Sequence, residues 1–350
     1  MIPPPRPNFQ PVNPRELLAR DGPEAMAHAL ASTGYIIQRR ILEDFVQVLR
    51  SGKPWLLEGD AGAGKSAVAY ACQHGFNMTL FPLQGMEELT LSDILYGWDV
   101  EAQNQSVIQA VQSGAMSLAE AQSRQHSFEY LKLGEALHAF HWAAQRGRVP
   151  LFFFDEVDKL PVHLQDMLLG LCECGYSHVP RYDRPVGIYD AETGATDREM
   201  WPLVIFTSNN LRHRLSEPFR SRCFYTWVDP PTLFEEVQIL RRRVPQAQPG
   251  LVLAVVKINE SIKTITGMPK KPGLRELIDL LNALVRDRVT HLDERALSPY
   301  IGYLAKQNLH RRSLCQSLGA IESDLEMSDE MVERLVLEAF DTESVFLEAA

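Results

Sequence analysis

Long apolar runs are missing from this chain of 350 residues. The apolar runs that are present, such as residues 151–154, are far too short to cross a bilayer, so no membrane-spanning helix is predicted. No signal peptide is recognised, and the five cysteines are scattered and odd in number, which argues against a disulfide framework. Because a reducing compartment keeps thiols free, these absences favour a cytoplasmic protein.

Excess positive charge is also lacking. The formal net charge is −10 at pH 7. Most of the excess lies after residue 319, where ten acidic side chains stand against Arg334 alone, a difference of nine. The rest of the chain is therefore close to neutral and has no long basic run, which argues against binding of nucleic acid.

A glycine-rich segment at residues 59–66 follows a short apolar run and precedes a stretch of helical character. Its pattern is G-x-x-x-x-G-K-S. Glycines let backbone N–H groups point inward at a polyphosphate, and a helix that begins at Lys65 presents its positive end to the same anion. Lys65 would neutralise the β- and γ-phosphates, and the Ser66 hydroxyl would ligate Mg²⁺. The alternative is a plain turn with a surface lysine, and the flanking strand and helix count against it. The predicted nucleotide-binding residues of this loop are Gly59, Asp60, Ala61, Gly62, Ala63, Gly64, Lys65 and Ser66.

A second motif, at residues 149–158, joins an apolar strand to two carboxylates. A continuous apolar run is typical of a parallel strand covered on both faces, and ligands bind at the carboxyl ends of such strands. Asp155 would hold the Mg²⁺, and Glu156 would polarise the attacking water. A solvated acidic turn is the alternative, and the phosphate loop earlier in the chain makes it the minor one.

Two further signals are weaker. The apolar strand at 202–207 is followed by Asn209, whose amide could orient the hydrolytic water, although asparagine is also common in turns. The apolar turn before the first strand includes Tyr35 and Ile36, which are candidates for an adenine pocket, with ordinary core packing equally consistent.

Apolar spacing predicts the remaining elements. Up to residue 230 we expect helices at 15–31 (interrupted at Gly22), 41–49, 90–95, 128–146 and 162–174, strands at 78–82 and 224–228, and a protruding hairpin within 175–201. Residues 99–127 are polar and are predicted to be an insertion with some helix. Beyond residue 230 we expect helices at 233–244, 251–265, 274–289 and 299–314. Five strands that alternate with helices, followed by helices alone, predict an α/β domain and a small all-α domain.

Taken together, these motifs resemble the AAA+ ATPases, and within them the MoxR family, over residues 34–314. By that resemblance, residues 59–66 are the Walker A motif, residues 152–156 the Walker B motif, and Asn209 is sensor 1. Residues 215–223 are similar to the stretch that carries the family's arginine finger, which we assign to Arg222 with Arg220 as the second choice. Residues 271–275 look like sensor 2, which makes Arg275 the lid arginine.

The resemblance implies an AAA+ core, with a five-stranded parallel sheet flanked by helices, followed by a small all-α lid domain. The expected divisions are a proline-rich arm and N-terminal helix at 1–33, the nucleotide-binding α/β domain at 34–230, the helical lid at 231–318, and an acidic C-terminal helix or tail at 319–350.

The resemblance also implies an activity. AAA+ proteins bind ATP and Mg²⁺ between the subunits of a ring, usually a hexamer. The MoxR subgroup encoded beside carbon monoxide dehydrogenase is thought to act as a chaperone that remodels or matures a protein partner, including its metallocofactor, with a von Willebrand A domain protein as a separate chain. Two alternatives stay open: a nucleotide-gated switch subunit of a defence or signalling assembly, and a nucleic-acid motor, against which the acidic charge counts.

Overall fold

The computed structural model describes residues 10–189, 197–209, 215–264, 272–290, 292 and 294–305. The predicted acidic segment at 319–350, most of the proline-rich arm, Lys271 and the predicted helix beyond residue 305 lie outside these residues. Within them, no helix combines the length and the apolar character that crossing a bilayer requires.

Contacts divide the chain into two compact units. The larger unit comprises the residues before 34 together with 37–59 and 65–228, and the smaller comprises 34–36, 60–64 and the residues from 229 onward.

The larger unit alternates strands and helices. Its helices are α1 (Pro14–Ala31), α2 (Arg39–Ser51), α3 (Lys65–Gly75), α4 (Leu91–Ile94), α5 (Val100–Gln112), α6 (Leu118–Ser123), α7 (Glu135–Arg146), α8 (Val162–Cys174) and α9 (Glu217–Arg222). Its strands are β1 (Trp55–Glu58), β2 (Leu80–Gln84), β3 (Tyr96–Trp98), β4 (Leu131–Leu133), β5 (Leu151–Asp155), β6 (Tyr176–His178), β7 (Pro185–Gly187), β8 (Leu203–Ser208) and β9 (Phe224–Trp227). Short 3₁₀ turns lie at Arg124–His126, Phe128–Tyr130, Val157–Lys159 and Arg198–Met200.

Five of these strands form one sheet in the order β2-β5-β8-β1-β9. Every neighbouring pair in it is parallel. The predicted fold class, a five-stranded parallel sheet flanked by helices with further helices after it, is therefore confirmed. Because the strands are parallel, their carboxyl ends meet at one edge of the sheet, and this edge positions the candidate site.

The centre of the sheet is built from phenylalanine. Phe152, Phe153 and Phe154 of β5 are at most 2% exposed, and Phe206 of the neighbouring β8 is fully buried. The rings of Phe152, Phe154 and Phe206 meet edge to face, with centroids 6.3 to 6.4 Å apart. Burial of each such side chain contributes about 1.5–3 kcal/mol.

The predicted helix at 128–146 is wrong in its first part. Helix α7 begins only at Glu135, and β4 pairs antiparallel with β3 before it. Gly134 explains the break, because a Cβ at this position would lie 2.5 Å from the backbone carbon of Ile94, and its N–H donates to the Leu95 carbonyl at 2.8 Å. The close approach of two backbones interrupts the helical pattern there.

The hairpin predicted within 175–201 is present, as β6 and β7 pair antiparallel. Its protrusion from the sheet stays a prediction, and part of the hairpin is packed in the core. Val179, Val186 and Ile188 are 2 to 5% exposed and belong to the main core. The apolar side of the hairpin is thus buried inside the unit.

The predicted insertion contains α5 and α6, which confirms the expected helical content. Helix α6 begins with a capping box in which Ser117 and Glu120 bond each other's backbone N–H groups. Helix α1 is interrupted as predicted, since Gly22 has a non-helical φ of 78°.

The smaller unit is helical after residue 229, with α10 (Leu233–Arg243), α11 (Pro249–Thr264), α12 (Leu274–Arg286), α13 (Glu294–Leu297), a 3₁₀ turn at Ser298–Tyr300, and α14 (Ile301–Leu304). Its core includes Leu240, Val252, Val255, Leu280 and Leu284. Helix α10 begins with a capping box between Thr232 and Glu235.

Candidate nucleotide site

The glycine-rich loop begins where β1 ends. Gly59 is buried, and a Cβ added to it would lie 2.4 Å from the Val228 carbonyl oxygen, so only glycine fits. At the other end of the loop, Lys65 opens α3 and is 6% exposed. Its ammonium donates to the Gly59 carbonyl at 2.8 Å, which holds the charged group over the start of the loop. Phosphate oxygens would compete for this ammonium.

The middle of the loop, residues 60–64, groups with the smaller unit by contacts. Gly62 and Gly64 have φ of 89° and 96°, in the left-handed region that favours glycine. Ala63 N–H donates to the Asp60 carbonyl at 3.2 Å and closes a tight turn. The backbone conformation explains why glycine recurs in this segment.

Asp155 lies at the carboxyl end of β5 and contacts the start of α3. Its Oδ1 accepts from the Ser66 hydroxyl at 3.0 Å and from the Thr207 hydroxyl. The two predicted magnesium ligands are therefore adjacent. One carboxylate and one hydroxyl fit Mg²⁺, which is commonly held by one or two protein oxygens together with phosphates and water.

Glu156 has an unusual backbone, with a left-handed φ of 57°. Such a conformation in a residue other than glycine costs about 1–3 kcal/mol and needs support from its surroundings. Its N–H donates to the Thr207 hydroxyl at 2.9 Å. On the other side, the Gly85 N–H donates to the Asp155 carbonyl at 2.7 Å, and a Cβ on Gly85 would lie 2.0 Å from the Glu156 carbonyl oxygen.

The Glu156 carboxylate is held by three donors. The Asn209 amide donates to Oε1 at 3.2 Å, the Gln84 amide donates to Oε2 at 2.8 Å, and the Lys159 ammonium donates to Oε2 at 2.5 Å. Asn209 is itself positioned by its backbone N–H, which donates to Asp158 Oδ1 at 3.3 Å. The structure thus brings Glu156 and Asn209 into contact.

Sequence reasoning missed Thr207 and Gln84. Thr207 bonds both carboxylate residues, and Gln84 is the last residue of β2. A rule that every polar side chain at the carboxyl end of a parallel strand is a site candidate would have found both.

The two candidate finger arginines have different surroundings. Arg220 pairs with the buried Glu58 at 2.7 Å. Arg222 pairs with Glu173 at the end of α8, and both side chains are about half exposed. Such an exposed pair contributes little to stability, about 0–1 kcal/mol.

Arg222 and Ser66, which follows the phosphate loop, lie at opposite ends of the parallel strands. Arg222 lines a cleft of about 460 Å³ together with Lys53 and Pro54, which directly precede β1. Ser66 and Asp155 lie instead at the carboxyl ends of the strands. The structure therefore does not bring Arg222 to Ser66 or Asp155 of its own chain.

Arg275, Tyr35 and Ile36 belong to the smaller unit. Arg275 is exposed in the first turn of α12, and Tyr35 and Ile36 are half-buried. Their assignment to the lid and to the adenine pocket stays a prediction.

Residues 54–223 match the family model of the AAA domain (dynein-related subfamily). The match supports an AAA+ ATPase. It spans all strands of the parallel sheet except the last, and it includes Lys65, Asp155, Glu156 and Asn209. AAA+ proteins generally bind nucleotide with Mg²⁺ and assemble into rings. A comparison with curated proteins found no match.

Proposed function

We propose that this chain is a MoxR-type AAA+ chaperone that hydrolyses ATP in a ring, the hexamer usual for the class, and remodels or matures a protein partner. The contacts among Ser66, Asp155, Glu156 and Asn209 carry the proposal. They place a magnesium-ligating pair next to a carboxylate that an amide orients, which is the arrangement that phosphoryl transfer to water requires.

In this mechanism each residue has one task. Lys65 would leave the Gly59 carbonyl to bind the phosphates, and Ser66 and Asp155 would hold the Mg²⁺, whose charge would stabilise negative charge on the phosphate oxygens. Glu156 takes a proton from the attacking water, and Asn209 keeps the carboxylate turned toward that water. The loop amides of residues 60–64 would bind the polyphosphate.

Arg222 would act on the nucleotide of a neighbouring copy. The proposal is supported by its place at the opposite end of the parallel strands from Ser66 and Asp155 of its own chain. A finger supplied by a second protein or subunit accelerates phosphoryl transfer by about 10³- to 10⁵-fold. In the proposed assembly Arg275 completes the site from the lid.

The proposed client is a protein, with a von Willebrand A domain protein as the expected accessory chain. The acidic balance of the sequence gives no support to a nucleic-acid client. We therefore expect the ATPase rate to be the same with and without DNA.

A second candidate is a nucleotide-gated switch. The three donors on Glu156 favour it, because each of them competes with water for the carboxylate. A switch would bind ATP tightly and turn it over slowly, whereas a remodelling enzyme would release phosphate repeatedly in the presence of its client.

ATP binding and phosphate release by Lys65→Ala and Arg222→Ala test the proposal. We expect Lys65→Ala to bind ATP about 10- to 100-fold more weakly, because it loses a charge-assisted hydrogen bond. Arg222→Ala should bind ATP normally and lose turnover by about 10³-fold. Lys132→Ala, which breaks only the surface pair with Asp99, is the matched control and should behave as wild type.

Equal turnover in wild type and Arg222→Ala would rule out that Arg222 acts on the nucleotide of a neighbouring copy. Light scattering in the presence of ATP tests assembly, with the mass of six chains as the expected result. To find the client, a Glu156→Gln bait with ATP is compared with a Lys65→Ala bait in native cells, and we expect a von Willebrand A domain protein to be enriched on the former only.

A further inference from the structure

A buried ion pair joins the end of β1 to helix α9. Glu58, the last residue of β1, is 1% exposed, and its Oε1 accepts from Arg220 Nη2 at 2.7 Å. The Arg220 guanidinium also lies over the ring of Tyr225, 5.9 Å from its centroid. Burying a carboxylate this deeply costs free energy unless it is paired. A movement of Glu58 should therefore also move Arg220.

Glu58 is also attached to the phosphate loop. It directly precedes Gly59, whose carbonyl accepts from Lys65 at 2.8 Å. The Glu58 carbonyl accepts from Val228 N–H at 2.6 Å, and Gly59 has no room to move toward the Val228 carbonyl oxygen. The Lys65 contact thus bears on the residue next to Glu58, and a change in that contact would reach the Glu58 backbone directly.

Arg220 is attached to the candidate finger. It lies two residues before Arg222 in α9, a helix of only six residues. Phe219 anchors the same helix in the core, where its ring lies 5.2 Å from that of Phe206. Arg222 itself pairs with the exposed Glu173 and donates to the Pro218 carbonyl of its own helix. Because Arg222 belongs to α9, a small rotation of this helix would change the position of its guanidinium.

We propose that Glu58 and Arg220 are positioning residues that transmit the state of the phosphate loop to α9, and so set the position in which Arg222 serves a neighbouring copy. This inference rests on the proposed function, in which Arg222 acts in trans. When phosphates draw Lys65 from Gly59, the backbone at Glu58 adjusts, and the buried carboxylate takes Arg220 and its helix with it. Binding of nucleotide to one subunit would thereby place its Arg222 for the site of the neighbouring subunit.

The alternative is that the pair only stabilises the fold. If the pair is purely structural, its loss would lower thermal stability. The loss would then impair a subunit equally whether that subunit hydrolyses ATP or supplies Arg222 to its neighbour. If the pair positions Arg222, its loss would impair mainly the subunit that supplies Arg222. The test must therefore separate these two tasks of one chain.

Mixing two inactive variants separates the tasks. A donor chain carrying Glu156→Gln lends Arg222 and does not hydrolyse ATP itself, and an acceptor chain carrying Arg222→Ala has an intact site and no finger. Phosphate release by the mixture at saturating ATP, above that of either chain alone, measures the finger. Glu58→Gln is then added to the donor or to the acceptor.

We expect Glu58→Gln in the donor to lower this release by about 10- to 100-fold, since misplacing a catalytic group by about 1 Å costs that much. In the acceptor it should change release by less than about twofold. Arg220→Lys in the donor, which keeps the charge beside Glu58, should give a smaller loss in the same arm. Glu43→Gln in the donor, which breaks the exposed Arg39–Glu43 pair, is the control and should change nothing.

The outcomes are distinguishable. This inference is overturned if phosphate release is unchanged by Glu58→Gln in the donor, or if it falls equally with the change in either chain. Both outcomes are still consistent with Arg222 acting on a neighbouring copy. If the mixture releases no more phosphate than its separate chains, Arg222 does not act on a neighbouring copy. The present inference is then overturned as well. If Glu58→Gln lowers thermal stability too far for assembly, the Arg220→Lys donor decides by the same comparison of arms.

Discussion

The amide of Asn209 donates to one oxygen of Glu156 at 3.2 Å, while the other oxygen accepts from Lys159 at 2.5 Å. Asn209 follows β8, and Lys159 ends the 3₁₀ turn after β5. The carboxylate is thus held from two neighbouring strand ends, and its orientation is set by the fold. The role of base that we propose for Glu156 would benefit from such an arrangement, because a base must accept its proton from one direction.

Replacing Glu156 by glutamine tests its assignment as the base. The amide keeps the size of the side chain and cannot take a proton, so we expect phosphate release to fall by about 10²- to 10⁴-fold. The affinity for ATP, measured by titration with a fluorescent analogue, should stay within about threefold of wild type. Glu129→Gln, at an exposed position, is the control. Normal hydrolysis by Glu156→Gln would show that the base lies elsewhere.

Gly85 and Gly170 give a matched pair of glycine substitutions. A methyl group on Gly85 meets the Glu156 carbonyl oxygen at 2.0 Å, so Gly85→Ala should lower the free energy of unfolding by about 1–3 kcal/mol and impair turnover. Gly170 lies within α8 and an added Cβ meets nothing, so Gly170→Ala should raise that free energy by about 0.5–1 kcal/mol. Urea denaturation measures both, and the same sign for the two variants would contradict the prediction.

A buried chain of hydrogen bonds links α2, β1 and β9. Trp55 Nε1 donates to the Thr226 hydroxyl at 2.8 Å, and that hydroxyl donates to Asp44 at 2.8 Å. Thr226→Val would leave the buried indole N–H without its acceptor, and we expect the free energy of unfolding to fall by about 1–3 kcal/mol. Thr226→Ser keeps the hydroxyl and should cost less. Chemical denaturation of the two variants decides, and equal losses would mean that the hydrogen bonds contribute little.

The described cysteines differ in exposure and therefore in reactivity. Burial raises the pKa of the Cys72 and Cys172 thiols well above the ordinary value, and it raises the pKa of Cys223 to about 12. These thiols stay protonated at about pH 8, and the thiolate is the reactive form. Cys174 is exposed. We therefore expect an alkylating reagent to modify Cys174 long before the other three, as measured by peptide mapping of the native protein.

Rapid modification of Cys172 or Cys223 in the native protein would contradict that expectation. Unfolded protein provides the control, because all thiols should react at similar rates once burial is removed. Cys174→Ser should remove the fast phase assigned to this residue and leave the slow ones unchanged.

The parts of the fold that sequence predicts best are those with a short-range signal. The apolar run at β1, the glycines of the loop and the start of α3 at Lys65 follow one another within a few residues, and the structure has them in that order. The meeting of Ser66 with Asp155 also follows, because the carboxyl ends of parallel strands share one edge.

Contacts between distant residues were beyond the reach of pattern reasoning. Glu58 and Arg220 are 162 positions apart, and neither the strand nor the helix shows which side chains will meet. The start of α7 depended on the approach of another backbone to Gly134, and the hairpin at β6 and β7 on the burial of its apolar side. Periodicity describes one element at a time and contains no information about such partners.

Three successive phenylalanines in β5 have a consequence for how this protein can move. Side chains alternate between the two faces of a strand, so sliding β5 by a single position would exchange every buried ring with the opposite face. Pairing of β5 with β2 and β8 on its two sides opposes such a shift and fixes the position of Asp155, which lies opposite Gln84, at the end of the strand. A change of shape in this protein must therefore leave the register of β5 intact, and the residues that can move are those at the strand ends and in the turns and helices beyond them.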